Sequence, residues 1–138
     1  MRLGVLDIGS NTVHIIVVDA YARARPDPFA GERSVVRLMQ YLEDDGSIND
    51  DGVRALERAT RKAAAFARKN AVDAMIGIVT SAIREATNGP AVLERLEEIA
   101  GTKFGVLSGS EEAELTYFAA RRWHGWAAGR IMVLDIGG

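Results

Sequence analysis

One pentapeptide occurs twice in this chain. Val5-Leu6-Asp7-Ile8-Gly9 returns unchanged as Val133-Leu134-Asp135-Ile136-Gly137. Each copy is a short apolar run, suited to a buried strand, with one aspartate near its end and a glycine directly after. Such a strand end opens toward a cleft, and the glycine lets backbone N–H groups come close to an anion. The aspartate repels phosphate but can hold Mg²⁺, directly or through water. After the first copy, Gly9-Ser10-Asn11 adds hairpin amides and two polar side chains that suit a phosphate. One copy alone is better explained by an ordinary strand ending in an Asp-Xaa-Gly turn. The identical pair favours a functional reading.

The pair also bounds the fold. A chain of 138 residues, 48% of them apolar, can bury the core of one domain. No apolar run is long enough to cross a bilayer, and Asp7 interrupts the N-terminal apolar stretch too early for a signal peptide. The expectation is therefore a cytoplasmic protein. The absence of cysteine excludes disulfides, thiolate zinc sites and cysteine nucleophiles. A net charge of -2 argues against general nucleic-acid or membrane-surface binding. Ending on Ile136-Gly137-Gly138, straight after an apolar run, is a poor natural terminus and suggests a cut within a longer chain.

Between the two copies the pattern changes once. Arg2 to Ile8 and Thr12 to Ala20 read as strands joined by a hairpin at Ile8-Gly9-Ser10-Asn11. A loop over 22–32, with Pro26, Pro28 and Gly31, leads to a third strand near 33–42, closed by Asp44-Asp45-Gly46. Val53, Leu56, Ala59, Ala63 and Ala67 then keep helical spacing, with Asp50 or Asp51 as the cap. Ala74 to Val79 is a strand, and 80–87 suits one helical turn. Asn88-Gly89-Pro90 opens a helix carrying Val92, Leu96 and Ile99, stopped by Gly101. After a strand at Phe104 to Leu107, Ser108 and Glu111 have capping-box spacing. They open a helix with Leu115, Phe118, Ala119 and Trp123 on one face, and Arg130 to Ile136 forms a last strand. The fold class is α/β, a mixed sheet with helices on its faces.

Two further clusters follow strands, where ligands gather in open α/β sheets. Thr80-Ser81-Ala82-Ile83-Arg84 offers Arg84 as a planar clamp for phosphate oxygens, with Asn88 fixing a local turn or helping the ligand. A surface ion pair explains Arg84 equally well. In Ser108-Gly109-Ser110-Glu111-Glu112-Ala113-Glu114 the helix dipole accounts for acidic residues in the first turn. Three glutamates exceed that need, so one facing the cleft can take a proton from water. His14, within the second strand, and His124, beside a helix end, both read as structural.

Together these motifs, in this order and covering essentially the whole chain, resemble the exopolyphosphatase/guanosine pentaphosphate phosphatase (Ppx/GppA) family. The motifs are Asp7-Ile8-Gly9-Ser10-Asn11-Thr12-Val13-His14, Thr80 to Arg84 with Asn88, Ser108 to Ala113, and Asp135-Ile136-Gly137-Gly138. That family belongs to the sugar kinase, Hsp70 and actin superfamily, which implies an actin-like (ribonuclease H-like) domain. Residues 1–138 would be the first of two such domains, cut inside the second phosphate loop.

The resemblance implies Mg²⁺-dependent hydrolysis of the terminal phosphoanhydride of polyphosphate, or conversion of guanosine pentaphosphate to tetraphosphate. Carried over by position, Glu112 activates or positions water and Arg84 binds the phosphate chain. Asp7 and Asp135 support the metal. Gly9, Ser10, Asn11 and Asn88 bind phosphate, with Gly137 and Gly138 beginning the second loop. The implied partners are that substrate, the second domain of the same chain and, as an option, a second copy in a homodimer, with no membrane and no nucleic acid. Without its second domain the chain is expected to be inactive. Tyr41 to Gly46 does not match the Gly-rich turn of the family. The competing readings are a non-catalytic sensor of an alarmone or nucleotide, and a kinase or chaperone-type ATPase of the same superfamily.

Overall fold

The computed structural model describes residues 1–22 and 27–134. Five strands form one mixed sheet: β1 (Arg2–Ile8), β2 (Thr12–Asp19), β3 (Pro28–Val35), β4 (Ala74–Val79) and β5 (Phe104–Val106). Their spatial order is β3-β2-β1-β4-β5. The first three make an antiparallel meander, and β4 and β5 join it in parallel. Alternation along β1 and β2 sends Leu6, Ile8, Val13, Ile15 and Val17 inward. Against that face pack α1 (Asp50–Lys69) and α3 (Gly89–Ala100), which contribute the fully buried Leu56 and Leu96. Two further helices, the short α2 (Ser81–Glu85) and the longer α4 (Gly109–His124), each start just after a strand.

Three local expectations are corrected. The third strand runs over Pro28–Val35 rather than 33–42, because its register is set by pairing with β2, from Thr12 opposite Val35 to Val18 opposite Pro28. A proline is tolerated as the first residue of an edge strand, where its missing donor costs little. The chain leaves the sheet at Arg37, in the left-handed region at φ 55°, and enters a short 3-10 turn over Leu38–Tyr41. Leu38 is apolar because it is buried in the core, not because it lies on a strand.

The cap of α1 is Asn49, whose side chain accepts the Gly52 N–H at 3.0 Å. Asp50 and Asp51 sit one step later, in the first turn, where their charge complements the dipole.

The last strand does not form over Arg130 to Leu134. A strand needs a backbone partner, and neither sheet edge pairs with these residues. Met132 and Leu134 stand 91% and 79% exposed. Asp135 and Ile136 lie outside the described residues. The expected apolar stripe of α4 is likewise on the surface, with Leu115, Phe118 and Trp123 all exposed. No helix among the described residues is long and apolar enough to cross a membrane.

Candidate functional site

A cleft of about 930 Å³ opens at the C-terminal ends of β1 and β4, between the β1–β2 hairpin and the starts of α2 and α4. Its floor is the hairpin. The Gly9 N–H donates to the Thr12 carbonyl at 2.9 Å, which closes the turn. The Ser10 carbonyl accepts the Leu38 N–H at 2.6 Å, and the Asn11 carbonyl accepts from Val36 at 2.8 Å and Arg37 at 3.0 Å. In a trans peptide the carbonyl and the following N–H point opposite ways, and no cis peptide is present among the described residues. Anchoring the Ser10 carbonyl therefore turns the Asn11 N–H away from the β3 side. Neither the Ser10 nor the Asn11 N–H has a backbone or side-chain acceptor among the described residues, which leaves both donors for an anion.

Gly9 is not demanded by the fold. A Cβ there would lie 3.7 Å from the Thr12 carbonyl and 3.8 Å from Thr80 Oγ1, ordinary contact distances. What the missing side chain keeps open is the cleft surface between those two residues.

Asp7, one residue before the end of β1, is half-buried and lines this cleft. Its Oδ1 is buried and has no hydrogen-bond partner among the described residues. Burial pushes its pKa up, the charge of His14 across the strand pair pulls it down, and nearby Glu112 raises it further; the net direction is up. An unsatisfied carboxylate oxygen in a polar cleft is the environment a cation relieves. Mg²⁺ is commonly held by one or two carboxylates together with substrate phosphates and water, so the donors present fit that ion. Among the described residues no three acidic or histidine side chains gather into a metal cage. Asp7 is thus the ligand candidate that an unsatisfied buried oxygen marks among the described residues. Asp135, Gly137 and Gly138 lie outside the described residues.

The capping geometry sorts the glutamates of α4. Glu111 accepts the Ser108 N–H at 2.8 Å while Ser108 Oγ accepts the Glu111 N–H at 3.3 Å, a full capping box. That engages Glu111 with the helix end. Glu112, one residue on, lines the cleft, flanked by Gly109 and Ala113.

Two expected ligands are held elsewhere. Arg84 donates through Nη1 to the Leu107 carbonyl and through Nη2 to Glu85 at 2.9 Å, and does not line the cleft. Asn88 grips the backbone of Ile48, accepting its N–H at 2.9 Å and donating to its carbonyl at 2.7 Å. It fixes a turn rather than facing the ligand space. Thr80, Ser81 and Ala82 are the members of that cluster that reach the cleft.

The structure also adds residues that the sequence did not single out. Arg33 of β3, Met39 and Leu42 line the opposite wall. The misplaced third strand hid Arg33, because no face could be assigned to it.

Comparison with known proteins finds relatives in both sequence and fold. The sequence model of the Ppx/GppA phosphatase family matches residues 16–138. Exopolyphosphatase 1 of Mycobacterium leprae is 42% identical over 138 residues, which is all of this chain and 41% of that protein. A guanosine-5'-triphosphate,3'-diphosphate pyrophosphatase of Vibrio parahaemolyticus is 32% identical over 136 residues, 96% of this chain and 26% of that protein. In three dimensions, the crystal structure of an exopolyphosphatase from Cytophaga hutchinsonii superposes with a TM-score of 0.80 at 27% identity. The superposition covers 88% of this chain and 39% of that one. A Ppx/GppA family member from Aquifex aeolicus, at 20% identity and a TM-score of 0.76, shares the actin-like fold. The chain spans about 41% of the length of its M. leprae relative.

Proposed function

Because this chain belongs to the Ppx/GppA phosphatase family, we propose that it supplies one wall of the active site of a phosphoanhydride hydrolase. The substrate is inorganic polyphosphate or guanosine pentaphosphate, cut at the terminal phosphate. The observation that carries this reading is a single cleft lined by Glu112, by hairpin amides and by an Asp7 oxygen, the amides and that oxygen having no hydrogen-bond partner among the described residues.

The Ser10 and Asn11 N–H groups bind the terminal phosphate, as backbone donors do in other phosphate nests. Asp7 would hold Mg²⁺, which would supply charge neutralisation for the phosphate chain. Glu112 accepts a proton as a water oxygen bonds to the terminal phosphorus. The bridging P–O bond breaks, orthophosphate leaves, and the shortened chain takes up the proton. Phosphoryl transfer of this kind depends mainly on positioning and charge neutralisation, which this wall is built to provide.

The relatives' greater length and the exposed Leu115, Phe118 and Trp123 of α4 support a further domain that closes the cleft and excludes water. The family resemblance also carries a cytoplasmic location and a homodimer, the latter checked by gel filtration of the full-length protein.

The test is orthophosphate release by the full-length protein, with Mg²⁺ and no nucleotide, from long-chain polyphosphate and separately from guanosine pentaphosphate. Release from either supports hydrolysis. Release only when a nucleotide is added indicates a kinase or ATPase, and binding without release indicates a sensor.

A further inference from the structure

Asp7, His14 and Arg33 form one row across three strands. Asp7 pairs with His14 between β1 and β2, and His14 pairs with Arg33 between β2 and β3. Directly paired residues point to the same face of a sheet, so all three side chains share the face away from the core. Two strand spacings place the Arg33 backbone about 10 Å from that of Asp7. Gly31 lies beside the middle member: a Cβ there would meet His14 Nε2 at 3.7 Å, an ordinary contact distance.

Arg33 is exposed, lines the cleft, and makes no salt bridge among the described residues. The neighbouring acid, Glu32, is paired instead with Lys62 of α1 at 2.6 Å. The other charged residues lining the cleft are Asp7, Glu85 and Glu112, all acidic. A cleft that takes a polyanion therefore carries a single cationic side chain among its described residues, and it is not Arg84.

We propose that Arg33 binds the phosphoanhydride chain behind the scissile phosphate. This rests on the hydrolase reading above. With the terminal phosphate on the hairpin amides beside Asp7, a guanidinium two strands away meets the next part of the chain. Its planar fork can bridge oxygens of one phosphate or of two neighbours. The ligand class is a linear chain of at least three phosphates, free or attached to a nucleoside. Arg33 is a substrate-binding residue, and Glu112 remains the base.

The experiment compares wild type, Arg33→Gln and Arg33→Lys in the full-length protein. It reads calorimetric binding of inorganic tripolyphosphate and of orthophosphate, and KM and kcat for tripolyphosphate. For Arg33→Gln, tripolyphosphate affinity falls roughly tenfold, as expected for losing a charge-assisted contact. KM rises to match, kcat stays within about threefold, and orthophosphate affinity is unchanged. Arg33→Lys recovers part of the loss. Unchanged tripolyphosphate affinity in Arg33→Gln overturns the assignment, and so does an equal loss for orthophosphate, which would put Arg33 at the terminal-phosphate site. If the affinity difference persists but no variant hydrolyses the chain, the hydrolase reading fails and the Arg33 assignment stands.

Discussion

Asp7 and Glu112 line one cleft from different elements, the end of β1 and the first turn of α4, and the charge of Glu112 raises the proton affinity of Asp7 beyond what burial does. They are 105 positions apart in sequence, so only the fold brings them together. Two nearby carboxylates, one with an unsatisfied oxygen, make a site that is costly when empty and favourable when a cation enters.

Asp7→Asn therefore separates stability from function. The folded-state pKa of Asp7 lies above its unfolded value. Its contribution to stability is present at low pH and is lost as pH rises through the folded pKa, leaving a net cost at neutral pH. At pH 7 without Mg²⁺, Asp7→Asn should melt higher than wild type, and the gap should close below the unfolded value of 3.8. Mg²⁺ should raise the melting temperature of wild type and leave the variant unmoved. A variant that melts lower at pH 7, or still responds to Mg²⁺, contradicts this account of Asp7.

Gly9→Ala tests the hairpin. Because the added methyl meets only ordinary contacts, with nothing nearer than 3.7 Å, thermal stability should change by less than about 1 kcal/mol. Phosphate affinity and turnover should fall at least roughly tenfold, since the methyl occupies the approach to the amides. Unchanged binding of orthophosphate would show that the ligand does not approach Gly9.

Asn88→Ala should act through folding. Removing its amide leaves the Ile48 N–H and carbonyl, bonded at 2.9 and 2.7 Å, without partners in a part-buried turn. A loss of about 2–3 kcal/mol in denaturant unfolding is expected, with KM for polyphosphate unchanged in the protein that stays folded. A raised KM at unchanged stability would return Asn88 to the ligand.

Thr60 of α1 offers the opposite sign. It is fully buried and its hydroxyl has no hydrogen-bond partner among the described residues. Thr60→Val keeps the shape and removes the unsatisfied group, so it should stabilise by about 1 kcal/mol. Equal or lower stability would mean that the hydroxyl is satisfied in solution.

Much of this was legible from local pattern. The meander, β4, α1, α3 and the capping box at Ser108 follow from periodicity and from end signals within a few residues of one another. So did the placing of Asp7, Gly9 and Glu112 at element ends. The misreadings were matters of pairing. Pro28 looked like loop because its tolerance on an edge strand depends on which strand lies beside it. For Arg84 and Asn88 residue type leaves a ligand role and a structural one both open, and only the fold shows Leu107, Glu85 and Ile48 engaging them. Arg33 went unseen for the same reason, since its place in the cleft depends on a register set by β2.

The most direct test of the central claim is Glu112→Gln in the full-length protein, assayed for orthophosphate release from long-chain polyphosphate without nucleotide and for polyphosphate binding. Glutamine keeps the shape of the side chain and cannot take the proton. Turnover should fall by about 10²–10⁴-fold while affinity stays within a few fold. Turnover close to wild type would contradict the assignment of Glu112 as the base, and with it the mechanism proposed for this cleft.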